Sequence, residues 1–118
     1  MKKSIQVNYL EIITPNVDQV CTSYSETLQV SFSEAIAELG GARTAALNSG
    51  DTLGIRTPMH DAEEPTTRPY YLVDDIKITV SEAENSGAQV LVPPMKTSHR
   101  SQCAIVSFDS IQNGFWQV

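Results

Sequence analysis

Hydrophobic and polar positions change their period several times along this chain, and each change marks a predicted element. Residues 5–13 are rich in β-formers and begin with an alternating pattern, which predicts a strand that ends at Thr14-Pro15-Asn16. From Val17 the apolar side chains fall at helical spacing, which predicts an amphipathic helix of about three turns with Asn16 as its N-cap. The remainder of the first half is predicted to form three short strands, at 30–39, 43–47 and 52–56.

The second half repeats this plan after an acidic stretch, 58–67, that contains prolines and predicts an exposed linker. A helix is predicted from Ile76, with Asp75 as its cap and Gly87 just beyond its end. The predicted strands of this half lie at 69–73, 88–92, 102–108 and 115–118, with turns at Pro93-Pro94 and at 109–114.

The two halves align by number as well as by order. Asn16 and Asp75 are 59 positions apart, and so are Val17 and Ile76, which begin the two helical stripes. A repeat of this kind indicates two similar modules within one α+β domain, module one at 4–57 and module two at 68–118, joined by the linker 58–67.

Composition narrows the classes of partner. The 118 residues carry a formal charge of −6, which argues against nucleic acid and against anionic membrane surfaces. No apolar run approaches a transmembrane span, and the first residues lack the apolar region of a secretion signal, so we expect a cytoplasmic protein. Two cysteines, Cys21 and Cys103, are too few for a metal motif and are expected to be reduced.

Several stretches resemble the vicinal oxygen chelate superfamily, which includes glyoxalase I, bleomycin resistance proteins and extradiol dioxygenases. The stretches that carry the resemblance span essentially the whole chain: YLEIITPNVD at 9–18 with Tyr24, YLVDDI at 71–76, GAQVLVPPM at 87–95, AIV at 104–106 and FWQ at 115–117. The chain departs from the family after Asp109, where the usual Asp-Pro-x-Gly is absent, so the register of the last strand stays open.

The resemblance implies a fold of two βαβββ modules in tandem, whose mixed sheet curls around a cleft with the helices on the convex side. It also implies a homodimer. Enzymes of the superfamily hold a divalent metal through His, Glu or Gln side chains on the first and last strand of each module.

Carried over residue by residue, the metal positions fall on Tyr9, Gly54, Arg68 and Trp116, or on Gln117 if the last register slips. Glycine has no donor, arginine stays protonated, tryptophan offers only an N–H, and a neutral phenol is a poor ligand. The nearest other donors are Glu11, His60 and His99, of which the two histidines fall in predicted loops. We therefore expect no metal and no other cofactor, which argues against an enzyme without excluding one.

Strand alternation then predicts what faces the cleft. The candidate ligand-binding residues are Tyr9, Glu11, Thr52, Gly54, Arg56, Arg68, Tyr70 and Trp116. The aromatic rings suit a planar ligand and the two arginines suit a carboxylate or phosphate. The alternative is a cavity that the chain fills itself, with Arg68 paired to Glu11. Cys103 is a weak candidate nucleophile, since a strand cysteine is usually a small hydrophobe.

The functional prediction is a metal-free protein, similar to glyoxalases and bleomycin resistance proteins, that binds a small aromatic or anionic molecule. Two alternatives remain. One is a metal-dependent lyase, isomerase or dioxygenase of the glyoxalase type, and the other is a non-catalytic dimeric interaction scaffold.

Overall fold

A computed structural model describes residues 5–98 and 101–118. His99, one of the candidate donors, lies outside the described residues. The chain divides into two compact units, the first Tyr9–Thr67 and the second Arg68–Val118 together with residues 5–8. In chain order the elements are β1 (Gln6–Ile13), α1 (Val17–Leu28), a 3-10 turn (Ala37–Leu39), β2 (Arg43–Ala46), β3 (Thr52–Arg56), β4 (Thr66–Leu72), α2 (Ile76–Asn85), β5 (Gln89–Ser98), β6 (Ser101–Phe108) and β7 (Ile111–Gln117). This order confirms the α+β class and the tandem arrangement of two similar modules.

In the first unit β3 lies between β2 and β1, antiparallel to β2 and parallel to β1. Ile12 of β1 and Ile55 of β3 point to the same side, because they are partners in the register. They pack with Cys21 of α1 into a small core, which is completed by Val17, Val20, Tyr24 and Phe32. The period of the helix thus places its apolar stripe on the sheet, as predicted.

The predicted strand at 30–39 is wrong. Only Ile36 forms a bridge, to Ala42, and the residues after it form the 3-10 turn. Gly40 and Gly41 both have positive φ and close this short loop, with the Ile36 amide donating to the Ala42 carbonyl. Residues 30–39 therefore form no regular strand. They are joined to the next segment by separate backbone hydrogen bonds, from the amide of Ile36 to Ala42 and from that of Ser33 to Thr44.

In the second unit the strand order is β4-β7-β6-β5. β4 and β7 are parallel, whereas the other two pairs are antiparallel. One side of this sheet packs on α2, and the residues of that core are Ile76, Val80, Ala83, Ala104, Val106 and Phe115. Tyr71 and Val73 pack against the same core, as strand alternation predicted.

The predicted Pro93-Pro94 turn is wrong, because β5 continues through both prolines to Ser98. The register between β5 and β6 shifts on either side of Val92 and again after Lys96. Proline has no backbone N–H to donate, so it is unfavourable in a central strand. β5 is the last strand in the sheet order and contains bulges, and such a strand tolerates proline.

The turn predicted at 109–114 is also too long. Asp109 and Ser110, with φ of 48° and 75°, make a two-residue turn, and β7 begins at Ile111. Positive φ at both central positions matches the twist of a hairpin. The early start of β7 fixes the register of the last strand, which the sequence left open.

The two predicted helix caps differ. Asp75 accepts a hydrogen bond from the Ile78 amide, at 3.2 Å, and thereby caps α2. Asn16 occupies the N-cap position of α1 but makes no side-chain cap bond, and its own amide donates to Thr14 Oγ1.

The described part of the chain contains no helix that is both long and apolar enough to span a bilayer.

Candidate functional site

The eight candidate residues lie on four strands and divide between the two units. The first unit holds Tyr9, Glu11, Thr52, Gly54 and Arg56, and the second holds Arg68, Tyr70 and Trp116. In each unit they occupy the side of the sheet opposite the helix, because they alternate with the core residues of the same strands.

In the first unit, the phenol of Tyr9 covers the backbone of Gly54. Gly54 is the register partner of Glu11, and Thr52 is the partner of Tyr9. A Cβ added to residue 54 would overlap the hydroxyl and the ring of Tyr9. Glycine is therefore required here by a close approach, and the space that a side chain of residue 54 would use is already filled.

Arg56 holds two carboxylates of its own unit. Its Nε donates to Glu11 Oε2 at 2.7 Å, and its two terminal nitrogens donate to the two oxygens of Glu63 at 3.0 and 2.9 Å. The Arg56 side chain is only 4% exposed. The hydrogen bonds of Arg56 to carboxylates are thus made to Glu11 and Glu63 of the chain itself, and binding of a ligand's carboxylate by Arg56 stays a prediction.

Burial and these partners set the charge states of the cluster. Burial favours the neutral form of Arg56, but the hydrogen bonds and charges of Glu63 and Glu11 outweigh it and raise its pKa. Burial raises the pKa of Tyr9 well above its usual value of 10, and the charge of Glu11 adds to this shift. The first unit therefore presents a fixed guanidinium and a neutral phenol.

The same contacts order part of the predicted linker. Glu63 Oε1 also accepts from the Met59 amide at 2.7 Å, and the Glu63 amide donates to the His60 carbonyl. Most of this stretch is exposed, as predicted, and so is His60. Sequence reasoning missed Glu63 as a partner of Arg56. Its position only seven residues after Arg56, in a predicted acidic loop, could have indicated the ion pair.

The second unit repeats the aromatic cover over a glycine. Tyr70, 6% exposed, lies in register with Gly114, and a Cβ on residue 114 would overlap its ring. The ring of Tyr70 meets that of Trp116 edge to face, with centroids 5.8 Å apart and planes at 79°. Such pairs contribute about 0.5–1.5 kcal/mol beyond burial, which favours this orientation of the indole. Trp116 itself stays partly exposed.

Arg68 lies two residues before Tyr70 on β4, so both side chains face the same side of the sheet. Arg68 is 5% exposed. Its Nε and one terminal nitrogen both donate to Gln112 Oε1 on β7, at 3.0 and 2.5 Å. Gln112 is exposed and was not a candidate from the sequence, because β7 was predicted to begin four residues after Ile111.

The register also assigns equivalent positions in the two modules. Gly54 lies opposite Glu11, and Gly114 lies opposite Tyr70, which is 59 positions after Glu11. Trp116 lies opposite Leu72 and therefore corresponds to Arg56, which lies opposite Ile13. Gln117, the alternative for the last strand, accepts a hydrogen bond from the Ile76 amide at the start of α2.

The residues at the expected metal positions do not fit a divalent cation. The site of a donor on residue 54 is filled by Tyr9, and the elevated pKa of that phenol keeps it neutral. Glu11, the nearest carboxylate, is bonded to Arg56. Within residues 5–98 and 101–118, no three His, Cys, Asp or Glu side chains are grouped so that they could hold a metal.

Both cysteines are thiols and lie in different units. Cys21 is buried under α1, and burial raises its pKa, which makes it unreactive. Cys103 is the register partner of Trp116 and is partly exposed.

Neither a known protein-family profile nor a curated protein sequence matches the chain. Solved structures do match its fold. A hypothetical protein from Bacillus halodurans C-125 is 14% identical with a TM-score of 0.77, over 98% of this chain and 96% of that one. Methylmalonyl-CoA epimerase from Mycobacterium tuberculosis is 14% identical with a TM-score of 0.69, over 93% and 85%.

A further match is a single-residue variant of methylmalonyl-CoA epimerase from Streptomyces coelicolor, in complex with 2-nitronate-propionyl-CoA. It is 14% identical with a TM-score of 0.66, over 94% of this chain and 95% of that one. Methylmalonyl-CoA epimerase is a member of the vicinal oxygen chelate superfamily. These likenesses show that the chain shares a glyoxalase-like fold with those proteins.

Proposed function

We propose that the chain binds a small organic molecule without a metal, and that the binding surface lies on the side of the second-unit sheet opposite α2. The observation that carries this proposal is the edge-to-face pair of Tyr70 and Trp116, in which a buried ring supports a partly exposed indole. Binding sites for small molecules are typically apolar or aromatic with a few placed polar groups.

The contrast between the units supports this choice of surface. In the first unit the candidates Tyr9, Glu11 and Arg56 are buried, and Arg56 is bonded to carboxylates of its own unit. In the second unit, the aromatic pair ends in a side chain that is still accessible. A ligand stacking on Trp116 would bury apolar surface without breaking an internal ion pair.

The fold likeness adds a weaker argument. One of the similar structures is an epimerase in complex with 2-nitronate-propionyl-CoA, so this fold accommodates an organic ligand in that protein. The metal-dependent alternative has little support among the described residues. The ring of Tyr9 fills the space of a side chain on residue 54, and no three His, Cys, Asp or Glu side chains are grouped there for a metal. A homodimer stays a prediction, for which sedimentation of the purified protein is the test.

The experiment is a binding screen in which the fluorescence emission of Trp116 reports binding. Trp116 is the only tryptophan in the sequence. Protein treated with EDTA and untreated protein are mixed with polycyclic aromatic compounds and with acyl-CoA thioesters. We expect at least one class to change the emission equally with and without EDTA. Trp116→Leu should abolish binding measured by calorimetry, whereas Tyr71→Phe, on the α2 side of β4, should not.

No binding by any compound would contradict the proposal. Binding that disappears with EDTA and returns with added Ni, Zn, Mn or Fe would favour the metal-dependent alternative instead.

A further inference from the structure

Two sulfur-containing side chains and an indole lie next to one another on the sheet of the second unit. Met95 of β5 is the register partner of Cys103 on β6, and Cys103 is the partner of Trp116 on β7. Register partners point to the same side of a sheet, so the three side chains form one row, which we call the sulfur row. It lies opposite α2, because Gln117, the next residue of β7, accepts a hydrogen bond from the Ile76 amide of that helix.

The strand pairing is regular where the sulfur row crosses it. The register of β5 and β6 shifts before Met95 and after Lys96, but Met95–Cys103 and Lys96–Gln102 are consecutive pairs. Directly opposed residues of an antiparallel pair have Cβ atoms about 4.5–5.5 Å apart. Bonds between a metal ion and a thiolate are about 2.3 Å long, so two sulfur atoms that share an ion are up to about 4.6 Å apart. The spacing of the strands therefore suits one ion between the two sulfur atoms, and the flexible side chain of Met95 can adjust the distance.

Solvent reaches the sulfur row from the edge of the sheet. Met95 is 51% exposed, and Cys103 and Trp116 are partly exposed. β5 is the last strand in the sheet order, so the row begins at an edge. Lys96, the cation next to Met95 in sequence, pairs with Gln102 and lies in the row that faces α2. Its charge is therefore on the other side of the sheet from a cation bound in the sulfur row.

The donor atoms select the class of ion. Zinc and other borderline ions use clusters of His, Cys, Asp or Glu, and within the part of the chain that the structure describes no three such side chains are grouped. A thiolate and a thioether are soft donors, which favour Cu(I) over harder ions. A closed-shell monovalent ion is satisfied by a pair of such ligands. The face of an indole adds attraction for a cation that lies within about 6 Å of the ring centroid.

We infer that Met95 and Cys103 form a site for a soft monovalent cation, Cu(I) or its analogue Ag(I), beside the ring of Trp116. Binding replaces the bond between sulfur and hydrogen in the Cys103 thiol with a bond between sulfur and metal. The proton goes to water, and no oxidation state changes. The site goes beyond the proposed function and does not depend on it, because the test uses the ion without any organic ligand.

The test is a titration of the reduced protein in the absence of oxygen. Ag(I) is added as its nitrate in a buffer without chloride, while the emission of Trp116 is followed. The affinity for Cu(I) is measured by competition with bicinchoninate, whose copper complex is coloured. We expect one ion per chain, quenching of Trp116 as the ion binds, and release of one proton.

Two substitutions separate the donors. Met95→Leu keeps an apolar side chain of similar size but removes the thioether, and it should weaken binding at least about tenfold, since loss of even an indirect partner of a metal costs about 10- to 100-fold in affinity. Cys103→Ala should abolish stoichiometric binding, although it retains Cys21, which is 2% exposed. Met59→Leu is the matched control, because Met59 is 66% exposed and lies in the first unit. Circular dichroism checks that each variant is folded.

Equal affinity of the native chain and Met95→Leu would overturn the inference, because a lone thiol would then hold the ion. Stoichiometric binding by Cys103→Ala, or binding that leaves the emission of Trp116 unchanged, would place the ion elsewhere and overturn it too. An equal loss in Met59→Leu would show an effect of methionine content and not of this site.

Discussion

The phenol of Tyr9 occupies the space that a side chain on residue 54 would need. The two residues are on adjacent parallel strands but are not register partners, because Tyr9 lies opposite Thr52. The contact therefore spans a diagonal, which a long aromatic side chain can reach. The relationship explains why β3 has a glycine among its buried residues.

The first prediction concerns this contact. Gly54→Ala should lower the free energy of unfolding by about 2 to 3 kcal/mol, because the new methyl group overlaps the phenol in a packed interior. Urea denaturation of the purified variant measures the loss.

Double variants separate this overlap from other effects. In a Tyr9→Ala background, Gly54→Ala should cost much less than in the native chain, whereas Tyr9→Phe, which keeps the ring, should give little relief. Additive losses in both double variants would mean that the ring does not restrict residue 54.

The second prediction concerns the ion-pair cluster of the first unit. Arg56→Met should destabilise the chain by about 3 to 5 kcal/mol, because it removes the cation from two carboxylates in a largely buried place. Arg43→Met is the matched control, since Arg43 pairs with an Asp18 side chain that is 91% exposed. Its loss should be about 1 kcal/mol or less.

The same cluster should protect the linker. In Glu63→Gln the amide cannot serve both nitrogens of Arg56 as an acceptor, so backbone protection at Met59 should fall. Hydrogen exchange measured across residues 57–65 should increase while that of β5 and β6 stays unchanged. An unchanged linker would show that Thr57 and the turn at His60 order it without the carboxylate.

The third prediction concerns alkaline pH. The folded state raises the pKa of Tyr9 above the unfolded value of about 10, so above that pH only the unfolded state gives up this proton. By linkage, stability is complete below pH 10 and falls by up to about 1.4 kcal/mol per pH unit above it. Absorbance at 295 nm should show that Tyr9 resists ionisation above pH 10, and the absorbance change that Tyr9 contributes at higher pH should be missing in Tyr9→Phe.

The fourth prediction compares the two helix caps. Asp75→Ala should cost about 1 kcal/mol, because the Ile78 amide loses its acceptor. Asn16→Ala should change stability by about 0.5 kcal/mol or less, since its side chain makes no cap bond. Thermal unfolding of both variants in the same buffer checks the difference, and equal losses would contradict it.

The repeat of two modules could be read from the sequence because the two halves have the same order of elements. The starts of the two helical stripes, and the short polar residues before them, are also 59 positions apart. The errors fell where local signals competed with pairing between strands. Pro93 and Pro94 favour a turn by their own chemistry, but pairing with β6 keeps them in a strand. The turn that begins at Asp109 was predicted four residues too long, because Asp109 and Ser110 reverse the chain with positive φ although neither is glycine.

The candidate site was predictable to the level of which side of the sheet each residue occupies. Its internal partners were not, because they depend on distances between segments that are far apart in sequence. Arg56 meets Glu11 across 45 positions, and Arg68 meets Gln112 across 44. Periodicity gives orientation but no information about such pairs.

The two tyrosine–glycine contacts also bear on how this chain could change by descent. Gaining a side chain at residue 54 or 114 is penalised while the ring remains, and losing the ring first leaves a void. Each of the two substitutions lowers stability when it occurs alone, whether the glycine or the tyrosine changes first. We therefore expect the two residues to change together or not at all. Each of these positions should then stay glycine, and carry no side-chain donor, for as long as the covering tyrosine is kept.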